Sequence, residues 1–392
     1  MFLMLPANLK ALFLNEFKIA PVIEARARFD RRTDRDLNSA ASDNRSGFDA
    51  RLRVGADFEG PNGVSGKLRY QYANTESWTP TRNFSDMHSD LYLGYVNFKN
   101  DSGTFSVGRQ LLNFGDKRLF EESNFGQRSK SYDLLRFQTN KVDMFAGKVG
   151  FIGNRSEQSR LFGGQVKWAA GETLAYFKSD RWVSDANYWT FDHRYTGSSD
   201  KLSYAAEGAI QRGTINGRRF DTFMLHGKAT YKAGPTTNVY FEANAASGGG
   251  DVNTNRGFDA VYGTAHVHYG LSDMQGLRNM NHFEVGAVYK PSKTAEYTVS
   301  FHKFSLRDKS DGWYGPGGSI NRGPGGAFID PTGSSGSDVG SELNFMGKWD
   351  LGRGQRVELE LALFKPGSFI KAFNGASTKD QFWALFTYGI KF

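Results

Sequence analysis

Segments of period-two alternation recur along the whole of this chain, joined by links that are short and long in turn. In residues 47–58, Phe48, Ala50, Leu52, Val54, Ala56 and Phe58 project to one side of an extended chain, and Asp49, Arg51, Arg53 and Asp57 to the other. The final twelve residues repeat the pattern, with Phe382, Ala384, Phe386, Tyr388, Ile390 and Phe392 sharing one face. About eighteen such segments can be drawn, at 19–30, 47–58, 64–75, 90–99, 103–111, 131–139, 141–152, 161–169, 172–181, 187–196, 200–212, 217–233, 236–247, 282–291, 294–306, 340–350, 355–365 and 380–392. Links after even-numbered segments are brief, whereas those after odd-numbered ones include 31–46, 112–130, 247–281, 307–340 and 366–379. A sandwich or propeller has no reason to keep every long loop at one end. A closed antiparallel barrel with short turns on one rim and long loops on the other does. The expected fold class is all-β: a transmembrane antiparallel β-barrel of about 18 strands, occupying 1–392 as a single domain.

Composition agrees once this period is known. Mean hydropathy of −0.53 would pass for a soluble chain, but a barrel strand alternates lipid-facing and lumen-facing residues and so averages to mild polarity. The 33 Phe, 17 Tyr and 7 Trp are too many aromatics for disorder, and 46 Gly suit many turns. With 0 Cys there is neither a disulfide framework nor a thiolate metal site. Residues 1–18 are too interrupted for a membrane span and do not follow the order of a signal peptide; they are expected to form a periplasmic segment of a mature chain. Short turns on the side of both termini place that side in the periplasm and the chain in a bacterial outer membrane.

A charge facing lipid near the midplane costs roughly 2–4 kcal/mol for Arg or Lys, so the charged face of each segment is expected inside. Arg26, Arg28, Arg51, Arg53, Lys67, Arg69 and Arg136 then line the lumen. Two readings stay open: a positive ladder that eases an anion through a narrow pore, or cross-strand partners of Glu24, Asp30, Asp49 and Asp57 that hold the wall in shape. Sixteen to eighteen strands leave an aqueous channel where eight would be filled by side chains.

From Gly108 the chain reads Gly-Arg-Gln-Leu-Leu-Asn-Phe-Gly-Asp-Lys-Arg-Leu. This stretch resembles the signature of the alginate-export family of outer-membrane barrels, as do 265–270, Leu-Phe-Lys-Pro-Gly at 363–367 and the ending at Phe392. The resemblance implies a monomeric porin-like channel for anionic polysaccharide or related acidic solutes, with an arginine-rich constriction folded inside by long loops. It assigns Arg109, Asp116, Arg118 and Arg53 to that constriction. Glu358 and Glu360 face the lumen where a dedicated alginate exporter would be expected to carry arginine. Arg109 shares the parity of Phe105 and Val107, so bringing it inside calls for a β-bulge near Gly108; the alternative puts it at the headgroup level.

His266 and His268 are read as packing residues in preference to a metal site, and no cofactor is expected. The Ser247-to-Asn255 stretch lacks the closing Glu of an EF-hand and reads as a flexible extracellular loop, and 312–336 as a mobile loop over the mouth, with folding into the lumen as the alternative. Tyr92, Trp168, Trp189, Tyr231, Tyr289 and Trp349 are assigned to interfacial girdles. Expected partners are outer-membrane lipid and lipopolysaccharide, an acidic solute and a periplasmic secretion partner, with nucleic acid excluded because the basic residues lie inside. The competing functions are an outer-membrane barrel enzyme, for which no nucleophile, base and acid stand at a meaningful spacing, and a loop-mediated adhesion barrel.

Overall fold

The computed structural model describes residues 17–40, 42–79, 83–122, 124–151, 159–180, 185–260 and 262–392; residues 1–16 of the expected periplasmic segment lie outside it. Eighteen strands form the wall: β1 Lys18–Arg32, β2 Arg45–Glu59, β3 Val64–Trp78, β4 Asn83–Asn100, β5 Gly103–Gln110, β6 Lys130–Gln138, β7 Val142–Phe151, β8 Arg160–Trp168, β9 Gly171–Asp180, β10 Ala186–Ser198, β11 Leu202–Ile215, β12 Arg218–Lys232, β13 Thr237–Ala246, β14 Met280–Ser292, β15 Ala295–Ser305, β16 Asp338–Gly352, β17 Gln355–Pro366 and β18 Gln381–Lys391. Each pairs antiparallel with its sequence neighbours. β18 returns to β1 in register from Glu24↔Lys391 to Arg32↔Trp383, so the sheet has no free edge. Closure is what lets a sheet sit in lipid, where an unpaired backbone group costs several kcal/mol.

The burial pattern is that of a soluble protein turned inside out. On β2, Leu52 and Val54 are each 41% exposed while Arg51 and Arg53 are 7% and 4% exposed. Trp168, Trp189, Tyr231 and Tyr289 are likewise exposed on the outer wall, and Trp349 donates its indole N–H to Tyr297 at 3.2 Å. Tyr92 departs from the girdle expectation. The register of β3 and β4 slips between Arg69 and Tyr70, an extra residue on β4 that turns Tyr92 inward beneath the Arg53 guanidinium, 3.7 Å from the ring centroid.

The bulge expected at Gly108 is absent. The pairings of β5 with β4 and with β6 run without a shift, so Arg109 stays on the lipid side with Phe105 and Val107. There it holds Asp133, directly opposite on β6, through two nitrogens at 2.7 and 3.0 Å. A bidentate pair within the outer surface removes the demand for a bulge that parity alone imposed.

The upper lumen is not a water column. Loops 111–129, 247–279 and 306–337 fold inward, and their Phe114, Phe120, Phe258, Tyr262 and Trp313 join one buried cluster with the inward-facing Tyr132, Phe145, Leu174 and Tyr176 of the wall. Both loops read as flexible make specific contacts with the barrel, and 312–336 lies in the lumen. Residues Thr254 and Asn255 run parallel to Arg219 and Phe220 of β12, and Trp313, fully buried, stacks on Phe364 at 5.9 Å. After β17 a short helix, α1 Ser368–Asn374, buries Phe369 and Ile370 in the same core.

Candidate functional site: two folded-in loops and the chamber beneath them

Loop 111–129 hangs from the arginines of β1 and β2. Arg26 donates to the Asn124 carbonyl at 2.6 Å and to Gln127 Oε1 at 2.7 Å. Arg28 donates to the Phe125 carbonyl at 2.7 Å and to Asp49 at 2.8 Å. Arg51 reaches the Asn124 carbonyl at 2.9 Å, and Arg53 reaches Ser129 Oγ at 2.6 Å and Gln71 at 2.8 Å. Five fixed donors per guanidinium suit carbonyls spread along an irregular loop. These four residues therefore do not stand as bare charges in water; they carry the backbone that narrows the pore. Arg69 and Arg136 lie nearer the periplasmic rim and are engaged by Asp57 at 2.5 Å and Asp143 at 2.6 Å, while Lys67 stays half exposed beside Asp57 at 3.6 Å.

The other end of the loop is fixed to the opposite wall. Arg118 is 2% exposed. It contacts Asp116 at 2.9 Å, Glu242 of β13 at 2.8 Å, Asn244 Oδ1 at 3.1 Å and the Tyr269 hydroxyl at 2.9 Å. Thus Asp116 and Arg118, assigned to the constriction by resemblance, face the wall and the neighbouring loop.

From Arg118 a chain of hydrogen bonds crosses β13 to β16, missed by sequence reasoning because its members alternate with lipid-facing residues on separate strands. Arg118 can only donate, which fixes Asn244 Oδ1 as acceptor and leaves Asn244 Nδ2 to donate to His282 Nδ1 at 2.9 Å. His282 must then donate through Nε2 to His302 Nδ1 at 3.0 Å, and His302 Nε2–H points to Ser300 Oγ at 2.8 Å. Turning the Asn344 amide so that its otherwise unpartnered Oδ1 accepts from the same N–H, across 3.0 Å, completes the chain. His282, Glu284 and His302 have ligand atoms within 4.8 Å of one another, and in these tautomers the His282 Nε2–H to His302 Nδ1 hydrogen bond spans the gap between the two rings.

Loop 247–279 closes the centre. His266 lies flat on Phe125, ring centroids 3.6 Å apart, with Trp383 edge-on at 5.6 Å. Its two nitrogens face Asp273 at 3.1 Å and Glu360 at 2.8 Å. Below this layer a chamber of about 540 Å³ opens toward the periplasm, lined among others by Lys117, His266, Lys348, Arg356, Glu358 and Glu360. Above it a vestibule of about 520 Å³ is lined by Arg32, Arg35, Asp43, Asp273, Trp313 and Arg322. His266 borders one space and its partner Asp273 the other. Lys117, held at φ 74°, and Lys348 form no salt bridge among the described residues.

The two loop histidines titrate in opposite senses. Burial would lower the pKa of His266, but Asp273 and Glu360 outweigh it and carry it to about 10. His268 keeps some accessible surface yet sits deep in the barrel with its Nε2–H on the Asp116 carbonyl at 3.0 Å; burial and then the Arg118 charge hold its pKa down to about 3. A free histidine titrates near 6.5. The His266 contribution is therefore complete below about 6.5 and is lost as pH rises toward 10, whereas that of His268 is intact above about 6.5 and declines as pH falls toward 3. Loop anchoring is expected to be firmest near neutrality. Single-channel current noise should rise between pH 6 and pH 4, and His268→Gln should remove that acid limb; an acid limb of the same size in the variant would assign it elsewhere.

A closed 18-strand wall, lipid-facing outside and narrowed by inward loops, defines an outer-membrane β-barrel channel. The chain belongs to the alginate export family, whose profile matches residues 155–384, more than half of its length. Solved structures from Pseudomonas aeruginosa share the fold. OccK5 (OpdH) is 11% identical, covering 96% of this chain and 98% of its own, with a TM-score of 0.62. The outer membrane protein OprD is 11% identical over 95% and 94%, at 0.59. OpdK solved with vanillate is 12% identical over 97% and 100%, at 0.61. No curated protein sequence matches.

Proposed function

We propose that this channel passes acidic solutes, small carboxylates or an acidic polysaccharide such as alginate, across the bacterial outer membrane through a basic lumen, with no enzymatic step. The observation that carries the reading is the pair of ammonium groups, Lys117 and Lys348, bordering one chamber without a salt bridge among the described residues, while the wall arginines are occupied by loop carbonyls. A low-dielectric wall focuses the field of such charges and raises the local concentration of anions. One barrel of the same fold, OpdK, was solved with vanillate, a carboxylate, which supports a small acidic solute. A polymer would in addition require the Phe125–His266 layer to part.

Reversal potentials in a salt gradient test this. The wild-type channel should prefer anions, and Lys117→Gln with Lys348→Gln should reduce that preference several-fold with little change in conductance. Cation selectivity in the wild type would overturn the reading, and an unchanged potential in the double variant would move the selective charges elsewhere.

A further inference from the structure

Arg109 and Asp133 begin a polar row that continues around the outer wall. Asp133 stands opposite Lys148 of β7, Lys148 opposite Arg160 of β8, and Arg160 opposite Ser179 of β9. The rung immediately below is apolar: Val107↔Leu135, Leu135↔Ala146 and Ala146↔Phe162, with Leu135 52% and Phe162 46% exposed. The change from hydrocarbon-compatible to charged occurs within one rung.

Its height can be gauged along β8, whose 9 residues begin at Arg160 and end at Trp168 on the periplasmic rim. At about 3.4 Å per residue and a tilt of about 40°, Arg160 stands roughly 21 Å above Trp168. An outer-membrane apolar band is about 25 Å tall, so with the reach of a lysine or arginine side chain the row meets the headgroups of the outer leaflet.

The charges of the row do not balance. Asp133 is gripped by Arg109, and neither Lys148 nor Arg160, both exposed, forms a salt bridge among the described residues. Like charges directly opposite on neighbouring strands repel, and here one side of them is lipid, where water cannot screen the repulsion fully. An anion lying between the two side chains removes that penalty. We propose that Lys148 and Arg160, flanked by Arg109, form a binding site on the outer wall for the phosphate groups of lipopolysaccharide's lipid A. The lipid chains lie against Leu135 and Phe162 and the Phe162–Phe177–Trp189 cluster, whose ring centroids are 5.2 to 5.4 Å apart. Arginine supplies the planar fork that oxyanions favour and lysine a mobile point charge beside it.

The test is native mass spectrometry of the full-length protein titrated with bisphosphorylated lipid A, with dephosphorylated lipid A and with phosphatidylglycerol. The wild type should bind the bisphosphorylated lipid at least tenfold more tightly than either of the others. Lys148→Gln combined with Arg160→Gln should lose that difference, and Arg160→Lys should keep most of it. Equal binding of dephosphorylated lipid A or of phosphatidylglycerol overturns the proposal, as does a folded double variant with wild-type binding. If the double variant does not fold, the wild-type comparison of the three lipids decides alone.

Discussion

Arg118→Ala is expected to release loop 111–129 from the wall and to raise single-channel conductance several-fold. The Arg118 and Glu242 side chains are each 1% exposed. Deleting one member of a buried ion pair costs about 3–5 kcal/mol, because it strands the other charge in a medium that solvates it poorly. Here Glu242 would keep the half-exposed Lys228 ammonium at 3.0 Å and the neutral Asn244 amide at 3.0 Å, but no buried guanidinium. Asn244 Oδ1 would lose its charged donor, while Nδ2 donating to Glu242 Oε1 at 3.0 Å still sets the direction of the histidine chain. The wall itself has closed backbone ladders on both sides of β13, so the penalty falls on the loop and the barrel should remain folded. Arg118→Lys should recover part of the effect through Glu242 but cannot span four acceptors. Planar-bilayer recording decides the matter: wild-type conductance and noise in Arg118→Ala would mean that Arg26, Arg28, Arg51 and Arg53 hold the loop without help.

Why the barrel was legible and its interior only in part follows from what alternation encodes. A period of two reports which residues share a face, and the lipid side could be chosen because Arg51 and Arg53 cannot face hydrocarbon unpaired. That rule holds on β1 to β3, where Arg26, Arg28, Arg51, Arg53 and Arg69 do point inward. It inverts in the upper parts of β5 to β8, above the inward Arg136–Asp143 pair. There the lumen is filled by Phe114, Phe120 and Tyr262, so inward positions such as Phe145 and Leu134 are apolar, and the charges at 109, 133, 148 and 160 lie outside near the headgroups. Alternation cannot distinguish a lumen filled with water from one filled with the chain's own loops. Nor could it give the partners of Arg118, which lie 124 and 151 positions away at Glu242 and Tyr269. Tyr92 was misassigned for a local reason: one inserted residue on β4 reverses parity, and nothing in Leu91-Tyr92-Leu93 marks which residue is the extra one. Glycine at 312–336 suggested mobility, yet the buried indole of Trp313, with Phe328 and the Asn321 amide on the Met274 carbonyl at 2.8 Å, ties that segment into the lumen.

That indole supports the second large expectation. Trp313 has no exposed surface. Its ring packs on Phe364 at 5.9 Å and Phe328 at 5.7 Å, and its Nε1–H donates to Gln275 Oε1 at 2.8 Å. Truncating a buried Trp to Ala costs about 3–5 kcal/mol, and the orphaned Gln275 acceptor adds about 1–3 kcal/mol. Ordering a glycine-rich loop costs on the order of 1 kcal/mol per residue in backbone entropy alone, so loop 306–337 depends on its few anchors to stay inside. Trp313→Ala should therefore loosen the Arg322–Ala327 hairpin, so that trypsin cleaves faster at Arg322, which is already exposed, with the wall still folded by heat-modifiable mobility. Trp313→Phe, which keeps the Phe364 stack and loses only the indole donor, should remain close to wild type. Equal cleavage rates in the wild type and Trp313→Ala would show that the loop is held by its backbone turns, and the filled upper lumen would then owe its order to loops 111–129 and 247–279 alone.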